Sequence, residues 1–240
     1  KDIFILTHGY VNIALGSVLK LFQDYRTLGI ADALQAKLPP TIQLQAAYLH
    51  TNIDLIVVDE DASTVFLKDP LMLLDMGAIA KGYAVEQVSL FAANNGLAAG
   101  LISVGGNVRA LGNRPDNGKP WSVGILNPDK DSSKTVLKTV SLNDASLVSS
   151  GNYERYYTVD GKRYHHIIDP ETLFPSEYFT TVAIICKDSG MADALSTAVF
   201  NLPLSNGIAL IESLPNTEAV WVLADGTIQQ STGFEKFIKK

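Results

Sequence analysis

Apolar residues alternate with polar ones in many short runs along this chain, and recur every third or fourth residue in a few longer ones. The alternating runs predict strands, and the longer-period runs predict helices. Ile53–Val58 and Thr64–Leu67 read as a hairpin closed by the turn Asp59–Ser63. Tyr153–Val159 and Arg163–Ile168 read as a second hairpin, with Asp160–Gly161 as its turn. Further strands fall near Gly100–Val104, Asn107–Leu111, Trp121–Leu126, Thr135–Leu142, Ala145–Ser149, Thr181–Cys186, Ala219–Leu223 and Thr227–Gln230. Helices are expected over Thr41–His50, Ala78–Asn94, from the cap at Asp188 to Leu202, and over Leu204–Leu214. Lys37–Pro40 breaks the chain, and residues 1–30 carry no period that assigns them. Strands outnumber helices without regular alternation, which predicts an α+β fold of mixed or antiparallel sheets with packed helices.

Two of these helices carry candidate chemistry. The Ala78–Asn94 helix is apolar nearly all round and is expected to be buried. Asp75 and Gly77 lead into it, from a strand on this reading, and Lys81 falls in its first turn. An ammonium there opposes the helix dipole. It makes sense if an anion docks at the same helix start, or if the lysine stem merely covers apolar surface. On the helix after Asp188, Met191, Leu195, Ala198 and Leu202 form an apolar stripe. Asp193 and Thr197 lie opposite it, one turn apart, and Phe200 shares their side. Carboxylate and hydroxyl oxygens at that spacing suit a hard cation such as Mg²⁺, or make an ordinary solvated face.

Two loops add to the picture. In Tyr164–Pro170 strand alternation sends His165 and His166 to opposite faces, while His166 and Ile168 share one that could meet a flat ring. A histidine ending a hairpin is equally at home as a hydrogen-bonding residue. Gly105–Gly106–Asn107 joins two strands, and its glycines permit a close ligand approach or a tight turn.

At 240 residues, the chain is long enough for one large domain or two small ones. A net charge of -6 supplies no broad basic surface and argues against a nucleic-acid partner. Cys186 alone forms no intrachain disulfide and reads as a small buried hydrophobe. There is no stretch apolar enough to span a membrane, no Walker A lysine, no His-Glu-x-x-His and no dinucleotide fingerprint.

Six blocks, in order, carry a resemblance. They are Leu74–Ala84, Gly105–Asn107, Pro120–Ile125, Ser150–Glu154, His166–Pro170 and Ala192–Thr197. From about Gly9 to Leu202 their order and spacing resemble the FAD:protein FMN transferase family, also called the ApbE or thiamine-biosynthesis lipoprotein family. The resemblance implies a T-fold-related α+β domain over residues 1–240, without the family's usual N-terminal segment. It implies Mg²⁺ held by Asp193, Thr197 and the backbone carbonyl of Ala78. FAD contacts are implied at Asp75, Lys81, Gly105, Gly106, His166 and Ile168. An extracytoplasmic setting follows, in the periplasm or on the outer membrane face, with any peripheral or lipid-anchored membrane association carried outside this chain. Asn12 stands where the family commonly has Asp, and Leu173 replaces a usual glycine.

The implied reaction moves FMN from FAD to a Thr or Ser hydroxyl of an acceptor flavoprotein and releases AMP. Asp193 and His166 are its catalytic candidates, although a metal ligand does not readily double as a base. The same residues would equally serve Mg²⁺-dependent hydrolysis of FAD to FMN and AMP. A flavin-binding protein without turnover has no need of a metal pair.

Overall fold

The computed structural model describes residues 1–129 and 131–239. In chain order the helices are α1 (Asp2–Leu6), α2 (Gly16–Ala31), α3 (Thr41–Tyr48), α4 (Ala80–Asn94), α5 (Ser189–Asn201) and α6 (Leu204–Glu212). The strands are β1 (Ile56–Asp59), β2 (Thr64–Leu67), β3 (Gly100–Val104), β4 (Asn107–Leu111), β5 (Trp121–Leu126) and β6 (Val136–Leu142). They continue with β7 (Ser146–Gly151), β8 (Tyr156–Val159), β9 (Lys162–His165), β10 (Phe179–Cys186), β11 (Glu218–Leu223) and β12 (Ile228–Gln230). The fold is α+β, and every strand pairing is antiparallel. The chain divides into two compact units: Lys1–Met76 with Glu154–Ser176, and Gly77–Tyr153 with Glu177–Lys240.

In the first unit, α2 and α3 bury Leu15, Val18, Phe22 and Leu44 against Ile168 and Leu173. The segment without a legible period thus holds a 16-residue helix, α2. Its buried positions are Gly16, Ser17, Val18, Phe22 and Gly29, and three of those five are Gly or Ser, which blurs the apolar stripe. The β1–β2 hairpin starts later than expected, because Asn52 caps a short 3₁₀ turn over Ile53–Leu55. The segment before α4 is not a strand. It is tied down instead by Ser17 Oγ, which accepts from the Leu73 amide at 3.1 Å, and by the Asp75 amide donating to Ile13 at 2.8 Å.

Both departures from the family pattern have a local physical account. Asn12 accepts from the Ala14 amide at 2.9 Å through Oδ1 and donates to the Thr51 carbonyl at 3.0 Å through Nδ2. An aspartate could make only the first of these bonds. Leu173 adopts φ +60°, a left-handed conformation that glycine accepts without steric cost. Its side chain is 8% exposed and packs in the core cluster, so burial offsets the backbone strain.

The second unit is built on a six-stranded sheet, β12-β11-β10-β7-β4-β3. On one face Ala110, Leu147, Ala183, Ile185 and Val220 pack with Ile125, Val140 and Leu142 of the β5–β6 ribbon and with Phe234. The opposite face meets the helices and mixes polar with apolar residues: Asn107, Arg109, Ser146 and Ser150 lie on it beside Val148, Val182, Ile184 and Trp221. The helix α5 is buried along most of its surface, Phe200 included, with Met191 and Thr197 half-buried, so Asp193 lies on no solvated face. The converse correction applies to α4. Its buried residues are Gly82, Val85, Glu86 and Ser89, a proper helical stripe but only one of them large and apolar. Tyr83, Val88, Leu90 and Phe91 are exposed, at 60%, 54%, 47% and 70%.

Gly82 sets how closely α4 and α5 approach. A Cβ there would lie 2.1 Å from the Ser189 carbonyl oxygen and 2.7 Å from Asp193 Cβ. Gly82→Ala should therefore cost roughly 3 kcal/mol or more of unfolding free energy by pushing the helices apart. A urea titration measures it, and a loss of a few tenths would contradict the packing. At position 173 the usual order of Gly and Ala should invert. Leu173→Ala keeps the strain and loses the packing, about 2–5 kcal/mol, whereas Leu173→Gly recovers about 1 kcal/mol of that loss. Equal or reversed stabilities of the two variants would refute the offset.

Candidate functional site

The start of α4 lacks a capping side chain of its own, since its N-cap is Ile79. The missing acceptor comes from α5. Asp193 Oδ2 accepts from the Gly82 amide at 2.9 Å, which satisfies one of the unpaired N–H groups of the first turn. The debt is returned within the same pair of helices. Glu86 on α4 accepts from the Ser189 amide at the start of α5 at 2.8 Å, and from Arg109 Nε on β4 at 3.3 Å. Asp188 completes that second terminus by accepting from Met191 at 2.7 Å. Gly82 and Gly190 make these exchanges geometrically feasible, because neither adds a Cβ between the helices.

Lys81 lies at the centre of the arrangement. Its ammonium donates to Asp193 Oδ1 at 3.1 Å, to Oδ2 at 3.3 Å, and to the Gly77 carbonyl at 3.2 Å. The Asp193 side chain is 4% exposed and that of Lys81 is 36% exposed. A buried carboxylate thus faces a cation that reaches solvent. Along the helix, Ser196 Oγ donates to the Asp193 carbonyl at 2.8 Å and so accepts from Ser150 Oγ at 2.7 Å. Thr197, half-buried, stands one turn beyond Asp193. Ala78 sits in the turn between Gly77 and α4.

The Gly105–Gly106 turn joins β3 to β4 with φ +53° and +90°. A Cβ on Gly105 would touch Lys81 Cδ at 3.4 Å, so the turn lies against the lysine stem. Asn107 follows, 1% exposed, with neither side-chain polar atom bonded among the described residues. Lys81, Asp193, Gly105 and Gly106 are therefore brought together, with Thr197 and Ala78 on the elements that carry them.

The remaining predicted residues belong to the first unit. His165 is buried and structural: Nδ1 accepts from the Ile167 amide at 3.2 Å, and Nε2 faces the Ser176 carbonyl at 2.7 Å. His166 just follows β9, and its Nδ1 is buried without a hydrogen-bond partner among the described residues. Burial lowers its pKa to about 4, helped by the charges of Arg155, His165 and Arg26 and opposed by the Arg155 backbone. The Ile168 side chain is 4% exposed and committed to the α2–α3 core.

These donors fit the cation that the sequence resemblance implies. Among the described residues no three His, Cys, Asp or Glu side chains gather as a metal cluster, so a zinc-type set is missing there. What does gather is the Asp193 carboxylate and the Gly77 carbonyl around the Lys81 ammonium, with the Thr197 hydroxyl one turn along α5, all hard oxygens. A positive charge, the Lys81 ammonium, already rests between Asp193 and the Gly77 carbonyl. Sequence reasoning missed Glu86, Arg109 and the role of Gly82. The one visible signal was an acidic residue three or four positions from Gly82 and Ser89 on a helix otherwise read as apolar.

The chain as a whole is similar to known proteins. The model of the ApbE family matches residues 1–221. The FAD:protein FMN transferase of Klebsiella pneumoniae is 32% identical over 212 residues, covering 88% of this chain and 62% of its own length. That of Treponema pallidum is 34% identical over 236 residues, covering 94% of this chain and 64% of its own. This chain therefore spans less than two thirds of the length of these curated relatives. The solved structure of the ApbE protein from Thermotoga maritima superposes with a TM-score of 0.86 at 30% identity, covering 100% of this chain and 75% of that one. A match over nearly the whole chain, at this identity and with this fold, shows that the chain belongs to the ApbE family.

Proposed function

We propose that this chain transfers the FMN half of FAD to a Thr or Ser hydroxyl of an acceptor flavoprotein. One observation supports it above the rest: a buried carboxylate, a helix start and an ammonium converge at Lys81 and Asp193, 3.1 Å apart. The name shared by relatives at 32% and 34% identity agrees with that chemistry. On this reading the hydroxyl oxygen bonds to the FMN-side phosphorus and the pyrophosphate bridge breaks. AMP leaves with the bridging oxygen, and the hydroxyl proton passes to a base.

Asp193, Thr197 and the Ala78 carbonyl would hold Mg²⁺. When bound, the ion supplies neutralising charge for the diphosphate oxygens as the reaction develops. The protein's own groups do the rest. The Gly82 amide fixes the orientation of Asp193 through Oδ2. The α4 dipole and the Lys81 ammonium favour an anion at the helix start. Gly105 and Gly106 leave room beside the lysine stem. For Asp75, His166 and Ile168, FAD contact rests on the motif match. His166 is held neutral near pH 7 with an unbonded Nδ1. A ring of such low basicity is poorly suited to carry a proton away at neutral pH. The extracytoplasmic setting is part of the same proposal, and rests on the family pattern alone.

Mass spectrometry of an acceptor protein incubated with FAD and Mg²⁺ tests the reaction. Added FMN mass supports transfer, whereas free FMN and AMP with an unmodified acceptor indicate hydrolysis. Asp193→Asn should slow transfer roughly a hundredfold or more, about 3 kcal/mol of transition-state stabilisation. Undiminished transfer would remove Asp193 from the site. His166 makes a separate pH prediction. Its folded pKa lies below the unfolded value, so the unfolded chain binds the extra proton as pH falls from about 6.5 to 4. The folded state should lose on the order of 3 kcal/mol across that window. Melting temperatures of wild type and His166→Gln should converge toward acid, and parallel curves would contradict the burial argument.

A further inference from the structure

We infer that Lys81 is a built-in placeholder for the divalent cation, an ammonium that must leave Asp193 Oδ1 before the ion can bind. The inference rests on the metal site proposed above and goes beyond it in giving Lys81 an antagonistic role toward metal. Three observations carry it. The ammonium lies between a carboxylate and a backbone carbonyl of the 77–79 turn, the same kinds of donor that the cation would use. The two carboxylate oxygens are not equivalent. Oδ2 accepts from the Gly82 amide at 2.9 Å, a bond that also caps α4, and lies farther from the ammonium, at 3.3 Å. Oδ1 has the ammonium as its only described hydrogen-bond partner, at 3.1 Å. Exchange at Oδ1 can therefore proceed without uncapping the helix.

The third observation is the difference in exposure between the two side chains. Lys81 is 36% exposed on a four-carbon stem, while Asp193 is 4% exposed. The carboxylate stays where it is, and the cation is the partner able to move. Without a cation of some kind, Asp193 would be a buried charge held by one amide, which is costly. With the lysine in place the carboxylate is neutralised and α4 stays capped. A divalent ion and an ammonium cannot share Oδ1, because like charges at such separation repel strongly in a partly buried setting. Binding of metal thus releases Lys81, and its freed ammonium becomes available to the anionic substrate. In this scheme the lysine couples metal arrival to substrate capture.

The test is direct binding of Mn²⁺, followed by electron paramagnetic resonance of the free ion, with no FAD present. Lys81→Met keeps the stem and removes the charge. It should bind Mn²⁺ roughly three- to tenfold more tightly than wild type, in the range expected for losing one half-exposed competing ion pair. Its metal-free form should melt at a lower temperature than wild type, and saturating Mn²⁺ should narrow that gap. Circular dichroism checks that the variant is folded, and Lys81→Arg, which retains the charge, should bind like wild type. Equal or weaker Mn²⁺ binding by folded Lys81→Met, with wild-type binding still abolished by Asp193→Asn, overturns the placeholder alone. Mn²⁺ binding that survives Asp193→Asn overturns the metal site itself, and the placeholder with it.

Discussion

Two helices of the second unit each finish the other's amino terminus with a carboxylate. Asp193 of α5 reaches the Gly82 amide on α4, and Glu86 of α4 reaches the Ser189 amide on α5. Each bond satisfies a backbone donor that would otherwise be buried and unpaired, and each places a negative charge at the positive end of a helix dipole. Neither exchange works unless the helices nearly touch, which is why Gly82 and Gly190 stand at the crossing. Arg109 neutralises one carboxylate and Lys81 the other. Arg109 is 4% exposed at its side chain and locked, whereas Lys81 is 36% exposed and reaches water. The proposed site lies on the side whose counter-ion reaches water.

This arrangement explains why the candidate ligand is an aspartate on a largely buried helix. A cation site needs a carboxylate held still, and burial without compensation would protonate or expel it. Here the backbone of a neighbouring helix supplies the compensation. Fold and site are therefore one construction, since the bond that caps α4 also aims the oxygen that faces the cation. The polar residues on the helix-facing side of the sheet belong to the same logic. Ser150 on β7 supports Ser196, which in turn bonds the carbonyl of Asp193.

Much of the architecture was legible in the sequence, and its failures have specific causes. Turn chemistry located both hairpins: Asp160 and Gly161 have φ +49° and +78°, as an Asp-Gly hairpin turn requires. The cap at Asp188 was likewise readable. Burial of α4 and α5 was not. Hydrophobicity marks the face that repels water, but the stripe of α4 that meets α5 is Gly-Val-Glu-Ser at helical spacing, chosen for closeness and capping. The polar pair on α5 suggested a wet face because nothing local announces a partner more than a hundred residues away. Of the site, Lys81, Asp193 and Gly105 could be picked out from motif order. Glu86 and Arg109 could not, because an ion pair between a helix and a strand leaves no periodic trace.

The outward face of α4 has a practical corollary. Tyr83, Val88, Leu90 and Phe91 present a band of greasy surface on a fully folded molecule. Solvatochromic dyes that light up on apolar patches will bind this native state, and a bright baseline must not be mistaken for a molten form. Thermal unfolding is better followed through Trp221, which is completely enclosed beside Gly207 and meets water only when the sheet comes apart.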